Sequence, residues 1–301
     1  MRTLARLVGV LAIGIGLTAC GADGGSGDAG PTPTGSEPSG PSTVLVTVGQ
    51  TTSVGVVLTD DGHVLTVSPN AEGGAAVVAL PGAGSADGTV VGMDRRSGVL
   101  VVKVDADVGL TAATFADSDA VAVGDQVSVV AVAPGSPQPP VSGTVRSTSV
   151  VVGGLSMLQV EAAASTGGVV TTAEGALLGI LTALDGTGDT GLVTPANLLV
   201  RVARQIVAGE PVTYPYLGVS VDSASNGGAV VRQVAAGSPA ERAGLLVGDV
   251  ITRVGHRPVS TPGDLVATVQ STRAGDEVRV DFLREGVARE TTVTVAEAPV
   301  D

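Results

Sequence analysis

The chain has 301 residues, a formal net charge of −13, and 16 Lys and Arg against 29 Asp and Glu. Nucleic-acid binding rests on basic side chains that neutralise phosphates, so this balance argues against it. With two Phe, two Tyr and no Trp, valine and alanine must fill the core, and branched valine favours strands. Cys20 is the only cysteine, so no disulfide forms within the chain.

The first segment reads as a secretory leader. Met1–Arg6 carries two arginines, Leu7–Leu17 is apolar or glycine, and Leu-Thr-Ala-Cys follows at 17–20. Such a run is too short to span a bilayer, which needs about 20 apolar residues. The ending resembles a bacterial lipobox. That resemblance implies that residues 1–19 are a lipoprotein signal peptide, and that Cys20 is lipidated and becomes the mature N-terminus. The expected location is extracytoplasmic, with lipid anchoring to the cell membrane. Loss of Arg2 and Arg6 takes the net charge from −13 to −15, so the acyl group rather than charge would hold the protein there.

Residues 20–42 are Gly, Ser, Pro, Thr and acidic residues with almost nothing apolar. They read as a disordered tether. From Thr43 onward, short valine-rich runs alternate with turn signals, among them STVLVTV, SVGVVLTDDGHVLTV, GVLVVKV, DQVSVVAVA and GALLGILTAL. Many short strands at even spacing indicate a sandwich or barrel. In NLLVRVARQIV, after Pro195, Leu198, Val202 and Ile206 fall at helical spacing, which predicts one amphipathic helix closing the β domain at about residue 208.

GEPVTYP (209–215) reads as a linker. Beyond it come strand YLGVSV, strand GAVVRQV, short helix SPAERAG, strand DVITRV, helix TPGDLVATVQST, and strands EVRVDFL and ETTVTV. Both helices open with Ser or Thr before Pro, a cap followed by proline in the first turn. The fold class expected is mainly β: a sandwich or barrel domain over 43–208 and a small α+β domain over 209–301.

The order and spacing of these stretches resemble the HtrA-type secreted serine proteases, a trypsin-like double β-barrel followed by a PDZ domain. SVGVVLTDDGHVLT, VVGMDRRSGVLVVKVDA, VGDQVSVVAVAPG, STGGVVTTAEGALLGI and GSPAERAGLLVGDVITRVGHRPVST carry the likeness. The catalytic residues do not follow. The family reads L-T-N-x-H-V after its first strand pair, and here Pro69 stands where the histidine belongs. Gly98 occupies the aspartate's place before the apolar run ending at Lys103. The family's G-N-S-G-G-P matches residues 164–169, with Thr166 in place of the serine and Ala164 in place of the first glycine.

A hydroxyl is a poor nucleophile without a base to take its proton, and proline and glycine supply neither base nor acid. An alternative alignment makes Ser165 the nucleophile and gains no base. Only His63 and His256 exist. His63 lies six residues before Pro69, roughly 20 Å along an extended strand, and both histidines read as exposed turn residues. Asp60-Asp61 and Asp185…Asp189 lie in glycine turns, which explains them without a metal. No cofactor is expected.

What remains is the PDZ resemblance. It implies that Tyr216, Leu217, Gly218 and Val219 present backbone N–H groups to a peptide's C-terminal carboxylate. Leu217, Val219, Leu265 and Val269 are candidates for the pocket of its last side chain, and the alternative for Leu265 and Val269 is plain core packing. The reading is a membrane-anchored pseudoprotease that binds peptide or protein C-termini as a scaffold, adaptor or client-binding factor. Two alternatives stand beside it: a divergent serine-type endopeptidase of envelope quality control using Thr166 or Ser165, and a holdase whose barrel serves to oligomerise. Homo-oligomer formation is left open.

Overall fold

A computed structural model of the protein describes residues 43–68, 71, 74–80, 84–104, 109–133, 136–137, 139–162, 168–184 and 189–298. The leader, Cys20, the tether, Pro69 and the run 163–167 with Ser165 and Thr166 lie outside the described residues.

Six strands close the first barrel: β1 (Thr43–Val48), β2 (Thr51–Val57), β3 (His63–Val67), β4 (Ala75–Leu80), β5 (Gly84–Met93) and β6 (Val99–Val104), in the order β1-β2-β3-β6-β5-β4. Alternation dictates which side chains turn inward. Val44, Val46 and Val48 of β1 and Ala76, Val78 and Leu80 of β4 are buried, while their neighbours are half-buried or exposed.

The second barrel repeats the plan with β7 (Gln126–Ala133), β9 (Val141–Val152), β10 (Leu155–Glu161), β11 (Gly168–Thr171), β12 (Leu177–Leu184) and β13 (Thr190–Pro195). β11 pairs back onto β7 to close it, and the two-residue β8 (Ser136–Pro137) hangs on β7.

A core shared by the barrels joins Leu65, Val99 and Val101 of the first to Val169, Leu177 and Ile180 of the second. Onto it packs α1 (Ala196–Ala208), which buries Leu198, Leu199, Val202 and Ile206. Each such side chain contributes roughly 1.5–3 kcal/mol. Gly209, at φ +68, ends the helix by donating to the Gln205 and Ile206 carbonyls. The helix falls where the sequence periodicity places it.

The C-terminal domain is a sheet in the order β15-β16-β17-β19-β20, with β15 (Val219–Ser223), β16 (Ala229–Val234), β17 (Val250–Val254), β19 (Glu277–Arg284) and β20 (Val287–Thr294). β18 (Arg257–Pro258) pairs with β17, and β14 (Pro215–Tyr216) pairs with β21 (Ala296–Glu297). Two helices complete it, α2 (Pro239–Arg242) and α3 (Pro262–Gln270). Both start as the Ser-Pro and Thr-Pro signals require: Ser238 accepts from the Glu241 N–H, and Thr261 and Asp264 form a reciprocal capping box.

Three details differ from expectation. YLGVSV is not one strand: Gly218, at φ +86, breaks it between β14 and β15. The stretch read as a linker contains the anchored Tyr214, which is buried in the shared core. His63 is half-buried and hydrogen-bonded rather than an exposed turn residue, whereas His256 is exposed.

Candidate functional site

The first place to look is where a trypsin-like fold does chemistry. β3 ends at Val67, which pairs with Val99 of β6. Just beyond, the buried Ser68 N–H donates to the Gly98 carbonyl at 2.8 Å. Ser68, the last described residue of this stretch, is thereby held beside Gly98. Gly98 is buried, its N–H donates to the Asp94 carbonyl at 2.9 Å, and it holds φ at +72. That backbone suits glycine, and other L-residues pay about 1–2 kcal/mol to adopt it.

The nearest carboxylate in this turn is already engaged. Asp94 Oδ2 accepts from the Ser97 N–H at 2.7 Å, from the Ser97 hydroxyl, and from the Tyr214 hydroxyl. Burial, with Asp94 beside it, pushes the Tyr214 phenol well above its ordinary pKa, so it stays a neutral donor. The Arg96 guanidinium lies over the Tyr214 ring, 4.4 Å from its centroid. Sequence reasoning missed this cluster because Tyr214 looks like one polar-tipped residue in a linker.

His63 does not serve this site. Its Nδ1 lies 3.0 Å from Asp61 Oδ1 and 3.1 Å from Thr59 Oγ1. It pairs with Lys103, at the far end of β3 and β6 from Val67 and Val99. Five strand residues span about 13 Å between end Cα atoms. The hydrogen bonds from Thr59 and His63 hold the Asp61 carboxyl well below its usual pKa range. Asp60 caps the Ala112 N–H at 2.7 Å. Asp60 and Asp61 thus brace turns, and Asp185 lies outside the described residues.

The second place is the groove of the C-terminal domain. Gly218 sits against Ser238, whose Cβ would collide with a side chain there, and φ +86 independently requires glycine. The Leu217 carbonyl accepts from Ala240 N–H at 2.9 Å and the Gly218 carbonyl from Ala235 N–H at 2.8 Å. The N–H groups of Leu217 and Gly218 have no acceptor among the described residues. Two adjacent free N–H groups on a glycine turn are a carboxylate-sized anion nest. Beside it, β15 is an edge strand with one partner, β16, open to addition of an extended peptide.

Leu217, Leu265 and Val269 meet in one buried cluster, with the half-buried Val219 packed against it. Leu265 is 3% exposed and Val269 8%. They form a floor with little free surface, which gives the core-packing alternative much of their area. The half-buried Tyr216 stands at the entrance in β14, its ring beside Gly218.

Known proteins place both halves. The PDZ domain family matches residues 215–295. A relative from Rhizobium meliloti, "Probable periplasmic serine endoprotease DegP-like", is 30% identical over 82% of this chain and 53% of its own length. The chain belongs to the HtrA family. A second HtrA relative, the "Serine protease Do-like HtrA" of Lactococcus lactis subsp. cremoris, is 29% identical over 74% of this chain and 64% of its own length. The chain therefore spans between half and two thirds of these curated HtrA proteins. Among solved structures, the HtrA-type protease AlgW with a tripeptide superposes with a TM-score of 0.63 at 26% identity, covering 87% of this chain and 95% of that one. The trypsin-like double barrel and the PDZ domain of this HtrA chain are those of its relatives.

Proposed function

We propose that this protein is an HtrA-family pseudoprotease: a trypsin-like fold that does not hydrolyse peptides, carrying a PDZ domain that binds peptide or protein C-termini. The observation that carries the reading is Gly98. By sequence it falls at the orienting-acid position, and its backbone holds a glycine conformation while the nearby Asp94 is committed to Ser97 and Tyr214. Pro69 and Thr166 at the other two triad positions remove base and nucleophile in sequence. Loss of such a triad costs about 10⁶ in rate.

The peptide-binding half rests on the free N–H groups of Leu217 and Gly218, the edge strand β15, and Val219, Leu265 and Val269 as pocket residues. Structures of the HtrA-type protease AlgW with a tripeptide and with a decapeptide support a peptide ligand. An apolar floor of valine and leucine suits a small apolar last residue. Relatives named periplasmic support an extracytoplasmic location, and the Leu-Thr-Ala-Cys leader supports lipid anchoring at Cys20 with a tether to residue 42. The barrels over 43–208 would then act as scaffold for the PDZ domain over 209–301, as an adaptor or client-binding factor.

The test is incubation of the full chain with an unfolded polypeptide and a fluorophosphonate probe. The expected result is no cleavage and no labelling. Cleavage or labelling that disappears in Thr166→Ala or Ser165→Ala sinks the reading in favour of a divergent endopeptidase.

A further inference from the structure

A cavity of about 790 Å³ lies where the second barrel, α1 and the C-terminal end of α3 meet. Its size falls in the range of small-molecule sites, and domain junctions are where such sites concentrate. It is distinct from the peptide groove. α3 offers it Ala267 and Gln270, whereas Leu265 and Val269 turn into the PDZ core.

Three arginines line the cavity: Arg201 and Arg204, one turn apart on α1, and Arg273 just after α3. Among the described residues none of the three is ion-paired, although Arg146, Arg232, Arg253, Arg279 and Arg284 each meet a carboxylate. Arg201 donates from Nη1 to the Gln270 carbonyl at 2.6 Å, and its Nε is buried without a partner. A buried donor left unmet is unfavourable, and a ligand acceptor would relieve it. A guanidinium edge is built to grip an oxyanion with two parallel bonds.

Acidic groups also border the space and limit what fits. Asp117 is engaged by Asn197 Nδ2 at 2.7 Å and by the Asp119 N–H at 3.0 Å. The Asp119 and Glu297 carboxylates carry no ion pair among the described residues. Their charge would repel an extended polyanion and leaves room for a compact one.

We infer that this junction binds one small multivalent oxyanion, a phosphate or a di- or tricarboxylate, through Arg201, Arg204 and Arg273. Bound there, it would tie α1 of the barrel domain to the end of α3 in the PDZ domain. The inference is independent of peptide binding.

The test is isothermal titration of the full chain with inorganic phosphate and, separately, citrate, at constant ionic strength. Expected is saturable binding at one site by at least one of them, weakened at least about tenfold in Arg273→Gln and in Arg201→Gln, and unchanged in Arg232→Gln. The identity of the anion that binds distinguishes a phosphate from a carboxylate ligand. Arg201 also holds the Gln270 carbonyl, so the decisive variant is Arg273→Gln, whose side chain makes no bond among the described residues. No saturable binding of either anion up to about 10 mM, or equal binding in Arg273→Gln, overturns the inference.

Discussion

Gly263, in the first turn of α3, lies against the Ser149 carbonyl of β9 so closely that a Cβ at 263 would collide with that oxygen. Around this contact the PDZ domain is fastened to the second barrel. Ser149 Oγ donates to Asp264 at 2.8 Å, Ser156 N–H donates to Gln270 Oε1 at 3.0 Å, and Gln270 Nε2 donates to the Gly154 carbonyl at 2.9 Å. The helix that walls the peptide groove is therefore held on its other side by the barrel.

This contact sets the sign of a glycine substitution. In an exposed helix, Gly→Ala stabilises by up to about 1 kcal/mol. In the full chain, Gly263→Ala is expected instead to destabilise the docked state by about 1–3 kcal/mol, because the new methyl meets backbone. Denaturant unfolding of the full chain and of a 208–301 fragment should show opposite signs. The same stabilisation in both would mean the interface is not formed.

Asp249 is 1% exposed and accepts from Arg284 Nε and Nη2, each at 2.7 Å, and from the Leu246 N–H at 2.8 Å. Burial works to raise its pKa, but the Arg284 and Leu246 bonds outweigh it and hold the carboxyl below its ordinary value. A depressed folded pKa means stability that is present above the unfolded value near 3.9 and is lost as pH falls through the folded one. PDZ stability is expected to drop below about pH 4. Asp249→Ala should lose about 2 kcal/mol at neutral pH and flatten that acid limb. An unchanged acid limb in the variant would place the titration elsewhere.

Gly98 supplies a third expectation. Its φ of +72 and burial mean that Gly98→Asp alone should cost about 1–2 kcal/mol of stability without creating hydrolysis. Thermal unfolding and a cleavage assay check both parts. A neutral substitution would mean the turn relaxes to accept a side chain.

How much of this was legible in sequence differs by element. The short strands, α1 and both Ser/Thr-Pro helix starts followed from valine alternation, a 3.6-residue period and capping chemistry, all of which are local, whereas closure into two barrels rested on the family resemblance. The break at Gly218 was missed because Leu217 and Val219 continue the apolar pattern of a strand, and only the close approach of Ser238 forces the turn. Tyr214 with Asp94, and Ser149 with Gly263, were not legible because their partners are 120 and 114 residues away. Neither residue type is unusual where it stands. Position 98 is assigned in sequence by its distance from Lys103, and the backbone conformation that suits glycine there has no signal in sequence.

The central claim is that the chain holds C-termini without cutting them, and one experiment tests both parts. A fluorescent peptide ending in a free-carboxylate valine is titrated with the full chain, and its anisotropy is followed for a day beside a C-terminally amidated copy. The account predicts a saturable rise that stays constant, an intact peptide by mass spectrometry, and at least about tenfold weaker binding of the amide, which lacks the charge met by the Leu217 and Gly218 N–H groups. Equal binding of both peptides, or an anisotropy that decays as fragments appear and is stabilised by Thr166→Ala or Ser165→Ala, would contradict it.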